Sequence, residues 1–328
     1  MLGASLNGYL PKSPDPHDPM TTEFERIEQL AKLFDRPGPN VTLGIGDDAA
    51  ILLPPADEQL VWTVDACVQD VHFRADIATW EDVGYRSFMA AASDLAAMSA
   101  HPIGALCSIT LPKHSDADVL LQIAAGQRDA ARCLRTFVIG GNLASAPVVT
   151  LSTTLLGHTK RAPQRSGARA GDVVAVCGDI GWAAAGLGLL LEHVEVDPTD
   201  VPCANAIAAW KRPTARIDAG RRAINATSLI DISDGLAQDA MHIAVASGVR
   251  IDLETQSLVT PGLVHVAQLL DTDPIRLILH GGEDYALVGT FAPHQVAPGF
   301  LPIGQCHAGR GLRVNGEPCA VLGCDHFR

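Results

Sequence analysis

The sequence has few aromatic residues and no long uncharged apolar segment. Phe, Trp and Tyr together make up only 5% of its 328 residues, which argues against a surface that stacks nucleic-acid bases. No stretch approaches the roughly 18 consecutive apolar residues of a membrane span, so we expect no membrane partner. Residues 1–21 are rich in proline and lack an apolar core behind a basic start, which predicts a flexible N-terminal lead and not a signal peptide.

Several catalytic and redox motifs are also missing. The eight cysteines form no CxxC pair and no zinc-type spacing, so we expect reduced thiols in a cytoplasmic protein. The chain contains no Gly-Lys-Ser/Thr phosphate loop and no Gly-x-Ser-x-Gly elbow. These absences exclude a P-loop nucleotide site and leave covalent catalysis by serine or cysteine unsupported.

Acidic residues are in excess. The chain has 37 Asp and Glu against 24 Lys and Arg, a formal net charge of −13, and such a surface repels the phosphates of nucleic acids. Hydrophobic residues make up 47% of the chain and charged residues 19%, which is typical of a folded protein. The length favours two domains or one large one.

A subset of the acids lies beside glycines or within apolar segments. They are Asp47, Asp48, Asp65, Asp94, Asp231, Asp234, Glu283 and Asp284. A carboxylate in such surroundings must be paired, capped or bound to a metal, because an unpaired buried charge is costly. Oxygen ligands with few thiols or imidazoles favour Mg²⁺, which shares its coordination shell with phosphates. The pattern therefore predicts a site for a nucleotide and Mg²⁺.

Each of these residues has a simpler interpretation when taken singly. Asp47, Asp48 and Asp284 suit Gly-rich turns, and Asp234 suits a helix N-cap. Asp94 is the hardest to explain structurally, because aspartate is unfavourable inside a helix of Ala, Leu and Met. Two further residues have open roles: His72 is either structural or a substrate contact, and Arg165 either binds phosphate or lies on the surface.

The order of predicted elements favours an α+β fold over a doubly wound sheet. The segment 60–68 is typical of a buried strand, and 80–100 of a helix whose capping box is Thr79 with Asp82. Residues 275–291 predict a strand, a Gly-Gly-Glu-Asp turn and a second strand. A basic loop at 160–172 predicts a hinge, which divides the chain into 22–159 and 160–328.

An ordered set of motifs closely resembles the thiamine-monophosphate kinase family, part of the aminoimidazole-ribonucleotide-synthetase-like superfamily. The motifs are EFERIEQLAKLF, LGIGDDAAIL, TVDACVQDVHF, SDLAAM, RSGARAGD, IDISDGL, HGGEDYAL and GCDHF. The resemblance implies transfer of the γ-phosphate of ATP to thiamine phosphate with several Mg²⁺ ions. It also implies a two-domain α+β fold, with an N-terminal ATP- and Mg²⁺-binding domain whose strands pair across a homodimer.

The resemblance also implies roles for individual residues. The metal positions would be Asp48, Thr63, Asp65, Asp94, Asn142, Asp231 and Asp234. The ATP contacts would be Gly141, Asn142, Arg165 and Ser233. The acceptor contacts would be His72, Glu283 and Cys324, and no side chain would act as an acid or base catalyst.

Three positions depart from the family pattern. Asn142 replaces a metal-binding aspartate and brings no charge, Cys324 replaces an aromatic residue that can pack on the substrate, and Trp182 replaces a small polar or acidic residue. These departures keep two alternatives open. One is another ATP-dependent enzyme of the superfamily with a different phosphorylated acceptor, and the other is a nucleotide-binding protein without catalysis.

Overall fold

The computed structural model describes residues 23–45 and 49–319, which form two main β-sheets with helices packed around them. The first sheet has four strands in the order β3-β6-β4-β5, and a short antiparallel pair, β1 and β2, precedes it. These strands are β1 (Val41–Leu43), β2 (Ile51–Leu52), β3 (Gln59–Val68), β4 (His101–Leu111), β5 (Val138–Ser145) and β6 (Thr150–Thr159).

The second sheet has seven strands in the order β13-β12-β9-β11-β7-β10-β8. Its strands are β7 (Val173–Cys177), β8 (Ser228–Ile232), β9 (Arg250–Leu253), β10 (Ala286–Phe291), β11 (Leu301–His307), β12 (Gly311–Val314) and β13 (Glu317–Pro318). All its pairs are antiparallel except β12 with β9, and in the first sheet only β4 and β5 run parallel. The mixture of helices and largely antiparallel sheets confirms the α+β prediction. The strand predicted at 60–68 is present as β3, but its predicted burial is wrong, because among the described residues β3 is an edge strand with one apolar face exposed.

Nine helices are found among the described residues. They are α1 (Glu23–Leu33), α2 (Trp80–Ala97), α3 (Ala117–Cys133), α4 (Trp182–Leu191), α5 (Val201–Lys211), α6 (Ile217–Arg222), α7 (Leu236–Ser247), α8 (Pro261–Leu269) and α9 (Pro274–His280). None of these helices has the combination of length and hydropathy that a bilayer crossing would need.

Helix α2 is the central element of the core. The predicted capping box is present, since the side chains of Thr79 and Asp82 each accept the backbone N–H of the other residue. Phe88, Met89 and Leu95 are fully buried and belong to one apolar cluster with β8 and β10 of the second sheet. Helix α2 therefore ties the two sheets together, although their strands lie on opposite sides of the loop at 160–172.

The predicted strand at the start of residues 275–291 is wrong. Pro274–His280 is helix α9, and only Ala286–Phe291 is a strand. The Asp273 side chain accepts the N–H of Ile275 at 2.8 Å, and Pro274 occupies the first helical turn, where its missing N–H has no cost. The Asp-Pro start signal thus outweighs the β-propensity of the isoleucines that follow it.

Candidate active site between the two sheets

Strand β3 and helix α2 bring two predicted metal residues into contact. The hydroxyl of Thr63 on β3 donates a hydrogen bond to the carboxylate of Asp94 on α2. Thr63 and Asp65 lie two positions apart on β3, so they share one face of the strand. Asp94, which has apolar neighbours along α2, thus finds its hydrogen-bond partner on the adjacent sheet.

The second half of the chain adds Asp231 to this group. Asp231 lies near the end of β8 and is buried, and Ser93 Oγ donates to its Oδ2 at 2.8 Å. Burial raises the pKa of Asp231 to about 6, and the negative charge of Asp94 adds to that rise. The structure therefore brings one predicted acid from each half together, since Asp94 follows Ser93 on α2 and its charge acts on Asp231.

The turn after β8 contains Ser233 and Asp234. Asp239, in the first turn of α7, accepts the backbone N–H groups of Ser233 and Asp234, both at 3.1 Å. Asp234 does not cap α7 through its side chain, since Gly235 is the N-cap, and its Oδ2 instead accepts from Gln238 at 2.9 Å. The turn is therefore shaped by a buried aspartate that the motif analysis did not select.

Asp239 and His242 extend the group of possible metal ligands. Ligand atoms of Asp234, Asp239 and His242 lie within 4.8 Å of one another. Burial raises the pKa of Asp239 to about 8, and the charge of Asp231 contributes. The sequence did carry a signal, since an Asp and a His three positions apart follow the DISDG motif on one helical face.

The electrostatics of this cluster fit a hard divalent cation. Asp94, Asp231 and Asp239 come from different elements; besides burial, the charge of Asp94 raises the pKa of Asp231, and the charge of Asp231 raises the pKa of Asp239. Several carboxylates confined in a partly buried space need either protons or a cation, and Mg²⁺ prefers such oxygen ligands. The residues present therefore suit the ion that the motifs imply.

Arg165 supplies a positive charge beside this cluster. Its backbone carbonyl accepts the hydroxyls of Ser228 at 2.7 Å and Ser247 at 3.3 Å, which fixes the loop against β8 and α7. Its side-chain charge is close enough to Asp231 to lower the pKa of that carboxyl, against the larger effects of burial and Asp94. This placement suits a residue that meets a phosphate near the acids.

Glu283 lies in a turn that contacts both halves of the chain. Its carboxylate accepts from the guanidinium of Arg86 on α2 and from Trp210 Nε1 on α5, the latter at 2.8 Å. Burial raises the pKa of the Cys67 thiol near the end of β3 to about 12, and the charges of Asp65 and Glu283 contribute to the rise. Glu283 is therefore close to the strand that carries Thr63 and Asp65.

His72 follows the same strand. Its Nδ1 accepts the N–H of Val68 at 3.2 Å, so the neutral ring carries its proton on Nε2. This hydrogen bond folds the segment after β3 back on the strand end and gives His72 a structural contact in addition to its predicted one.

Gly141 and Asn142 are not brought to the other predicted residues within one chain. They lie on β5, at the opposite edge of the four-stranded sheet from β3. The row across the sheet runs from Asp65 through Thr153 and Cys107 to Gly141, three strand spacings of about 4.8 Å each. A Cβ at residue 141 would lie 1.9 Å from the Cys107 carbonyl oxygen, so this close strand contact requires glycine.

Two remaining candidates have structural surroundings. Asp284 is buried and accepts the N–H groups of Gly181 at 2.7 Å and Ala183 at 3.0 Å, so it caps helix α4 from a distant part of the chain. Trp182 is partly buried against the apolar core of the second sheet. Asp47, Asp48 and Cys324 lie outside the described residues.

Known proteins share both the sequence and the fold. Residues 46–159 match the family described as AIR synthase related protein, N-terminal domain. A thiamine-monophosphate kinase of Mycobacterium tuberculosis is 37% identical over 90% of this chain and 88% of its own length. A solved structure described as AaThiL complexed with AMPPCP and TMP has a TM-score of 0.79 and 33% identity, covering 84% of this chain and 89% of its own.

A more distant neighbour shows the extent of the fold. A structure of the hydrogenase maturation protein HypE in complex with ATP has a TM-score of 0.74 at 17% identity, covering 94% of this chain and 97% of its own, which establishes a common fold alone. The superfamily fold expected from the motifs is confirmed. The identity to the curated kinase over nine tenths of the sequence shows that the chain belongs to the thiamine-monophosphate kinase family.

Proposed function

We propose that this enzyme uses ATP to phosphorylate thiamine phosphate, giving thiamine diphosphate and ADP. The observation that carries the proposal is the meeting of Asp94 from one half with Asp231 from the other, in a chain whose relatives are named for this reaction. A relative whose fold matches over most of the chain is described with AMPPCP and TMP bound, an ATP analogue together with the named phosphate.

The reaction is a direct in-line transfer. A terminal phosphate oxygen of thiamine phosphate forms a bond to the γ-phosphorus of ATP, the bond from that phosphorus to the β-γ bridging oxygen breaks, and ADP leaves with the electron pair. Such a transfer needs positioning and charge neutralisation more than acid or base catalysis. The residues that we assign to the site fit this requirement, because carboxylates are the most numerous of them and none is assigned as a nucleophile.

Magnesium ions would be held by residues of both halves. When bound, such ions would supply positive charge that neutralises the transferring phosphoryl group. The residues that we assign as ligands are Asp48, Thr63, Asp65, Asp94, Asn142, Asp231 and Asp234. Since Asn142 lies at the opposite edge of the first sheet from Thr63 and Asp65, it would join this set from the second subunit of the proposed dimer. Asp239 shapes this set, because its carboxylate accepts the backbone N–H groups of Ser233 and Asp234 and so fixes the turn that carries them.

The two substrates would be held by separate sets of residues. We assign Gly141, Asn142, Arg165 and Ser233 to ATP, with the Arg165 charge meeting a phosphate. We assign His72, Glu283 and Cys324 to thiamine phosphate. The assignment of Glu283 is supported by its position beside the end of β3, where its charge and that of Asp65 both act on the Cys67 thiol.

We also propose that the chain acts as a cytoplasmic homodimer of two-domain subunits. Leu60, Trp62 and Val64 alternate along β3, an edge strand of the first sheet among the described residues, and all three side chains are more than half exposed. An edge strand with an apolar face is a typical template for pairing with another chain. Pairing with a second copy would cover this face and extend the sheet.

A product assay tests the proposed reaction. Purified protein with Mg²⁺, ATP and thiamine phosphate should yield thiamine diphosphate and ADP in equal amounts, with no turnover in EDTA. Folded protein that makes no thiamine diphosphate would contradict the assignment. ATP hydrolysis stimulated by another phosphorylated metabolite would then favour a different enzyme of the superfamily. Tight Mg-ATP binding without turnover would favour a binding protein, in which the uncharged Asn142 would help to explain the loss of catalysis.

A further inference from the structure

A buried arginine and a tryptophan hold Glu283 from two different helices. Arg86 on α2 is only 3% exposed, and its guanidinium donates to the Glu283 carboxylate and, at 2.9 Å, to the backbone carbonyl of Trp210. The Trp210 indole on α5 donates to the other Glu283 oxygen at 2.8 Å. Each carboxylate oxygen is thus fixed by its own donor.

The two donors also hold each other. The Arg86 guanidinium carbon lies 4.1 Å from the centre of the Trp210 ring, a cation–π contact inside the protein. Trp210 is 2% exposed, so neither side chain can turn away without opening the core. The arrangement is therefore a rigid frame around a single carboxylate.

The frame places Glu283 against the proposed metal site. The Glu283 N–H donates to the carbonyl of Ser233 at 2.8 Å, which ties its turn to the turn after β8. Glu283 has φ of +62°, a left-handed conformation that is unfavourable for a non-glycine residue and must be maintained by its surroundings. The side-chain contacts of Arg86 and Trp210, together with the Ser233 contact, maintain it.

We infer that Arg86 and Trp210 are positioning residues of the acceptor site: they orient the Glu283 carboxylate and neutralise its charge, and so determine the affinity for thiamine phosphate. The inference rests on the proposed function. Neither residue belongs to the sets assigned to ATP or magnesium. Without Arg86, Glu283 would present an uncompensated negative charge to an acceptor that is itself a phosphate.

The test compares steady-state kinetics of Arg86→Lys, Arg86→Met and Trp210→Phe with the wild type. Arg86→Met should raise the KM for thiamine phosphate at least tenfold and leave the KM for ATP within about twofold. Arg86→Lys keeps the charge but loses the planar fork, so it should recover part of the acceptor affinity. Trp210→Phe keeps an aromatic ring, removes one donor, and should raise only the acceptor KM.

The neighbouring Arg212 provides a matched control. Its guanidinium pairs with Asp82 at 2.8 Å and lies 4.8 Å from the centre of the Tyr85 ring, so it has the same chemistry outside the frame. Arg212→Met should leave both KM values unchanged. In the Glu283→Gln background, Arg86→Met should have less effect than in the wild type, because the charge that it exposes is already gone.

The outcomes separate the two proposals. A wild type that makes no thiamine diphosphate contradicts the proposed function itself. An active wild type whose Arg86 and Trp210 variants keep the acceptor KM, or raise both KM values equally, contradicts the positioning role alone. If Arg86→Met does not fold, Arg86→Lys and Trp210→Phe decide the question, since both keep most of the buried volume.

Discussion

Asp94 is the residue at which sequence, fold and proposed chemistry are most closely connected. It interrupts an otherwise apolar stretch of α2, it accepts a hydrogen bond from Thr63, and it raises the pKa of Asp231. An aspartate retained in such a position costs helix propensity and generates repulsion with Asp231. Both costs are explained if its charge is used to hold a cation at the site.

We therefore expect Asp94→Asn to lower turnover by about 100-fold or more, since about 3 kcal/mol of lost charge stabilisation equals two factors of ten. The melting temperature should stay the same or rise, because the repulsion with Asp231 is relieved. Product formation and thermal unfolding check the two parts. Asp129→Asn, on α3, is the control and should leave the turnover unchanged, because this carboxylate pairs with Arg128 and is not among the assigned site residues. An unchanged rate in Asp94→Asn would remove this residue from the metal site.

Asp284 illustrates a different use of a buried carboxylate. Burial raises its pKa to about 7, although the N–H groups of Gly181 and Ala183 act in the opposite direction. The folded pKa is thus above the unfolded value of 3.8, so the stability from the protonated form is fully present below that value. It is lost as pH rises towards and through 7.

We expect Asp284→Asn to remove this pH dependence, which amounts to at most about 1.4 kcal/mol per pH unit for one proton. The free energy of unfolding of the Asn variant minus that of the wild type should therefore be more positive at pH 7.5 than at pH 5. Urea unfolding at several pH values measures this. Asp284→Ala should lose the same pH-dependent contribution, and its stability should be lower by about 1–3 kcal/mol because both capping acceptors are lost. Parallel wild-type and Asn profiles would contradict the shifted pKa.

The residues that sequence reasoning missed share a physical cause. Asp94 and Asp231 could be selected because a carboxylate among apolar residues is unusual in any fold. Arg86 and Trp210 look ordinary in sequence, and their importance comes from partners that are distant along the chain. Periodicity and local motifs do not contain that information.

At the scale of elements, the contact between α2 and α3 depends on two glycines. A Cβ at Gly84 would lie 2.0 Å from the carbonyl oxygen of Ile123, and one at Gly126 would lie 2.0 Å from that of Glu81. The backbones of the two helices therefore approach more closely than any side chain allows. Since α2 carries both Arg86 and Asp94, this close helix packing helps to fix the positions of both residues.

Gly84→Ala should destabilise the protein by about 1–3 kcal/mol, even though alanine favours a helix by about 1 kcal/mol, because the new methyl group meets backbone that cannot turn aside. Chemical denaturation provides the measurement. Gly188→Ala in α4 is a suitable comparison, since its Cβ would meet only the end of the Leu270 side chain at 2.9 Å. Equal unfolding free energies for the two variants would show that α2 and α3 can separate freely.

Element prediction succeeded where one signal dominated and failed where two competed. The capping box and small residues of α2 point to a helix without ambiguity, and the structure agrees. At 274–280, isoleucines that favour a strand follow an Asp-Pro pair that begins a helix, and the strand interpretation was wrong. This error affects only one element, because the Gly-Gly-Glu-Asp turn and the strand after it were correctly placed.

At the scale of the molecule, the proposed site depends on both halves. The first half supplies Thr63 and Asp94 and the second supplies Asp231 and Ser233, while the core around α2 holds the two sheets against each other. The chain therefore cannot assemble this cluster until both halves have folded. The division at residue 160 and the pairing of subunits remain predictions, as do the roles of all the residues assigned to metal, ATP and acceptor.

The exposed face of β3 gives the last prediction. Trp62 is 72% exposed, and with Leu60 and Val64 it forms an apolar row along an edge strand, a surface that a second copy would cover. Trp62→Lys should convert a dimer into a monomer in size-exclusion chromatography with light scattering, because a buried lysine without a partner is costly. Val245→Lys, at a position on α7 with 73% exposure, should leave the dimer intact. A monomeric wild type, or a Trp62→Lys variant that still dimerises, would contradict pairing through β3.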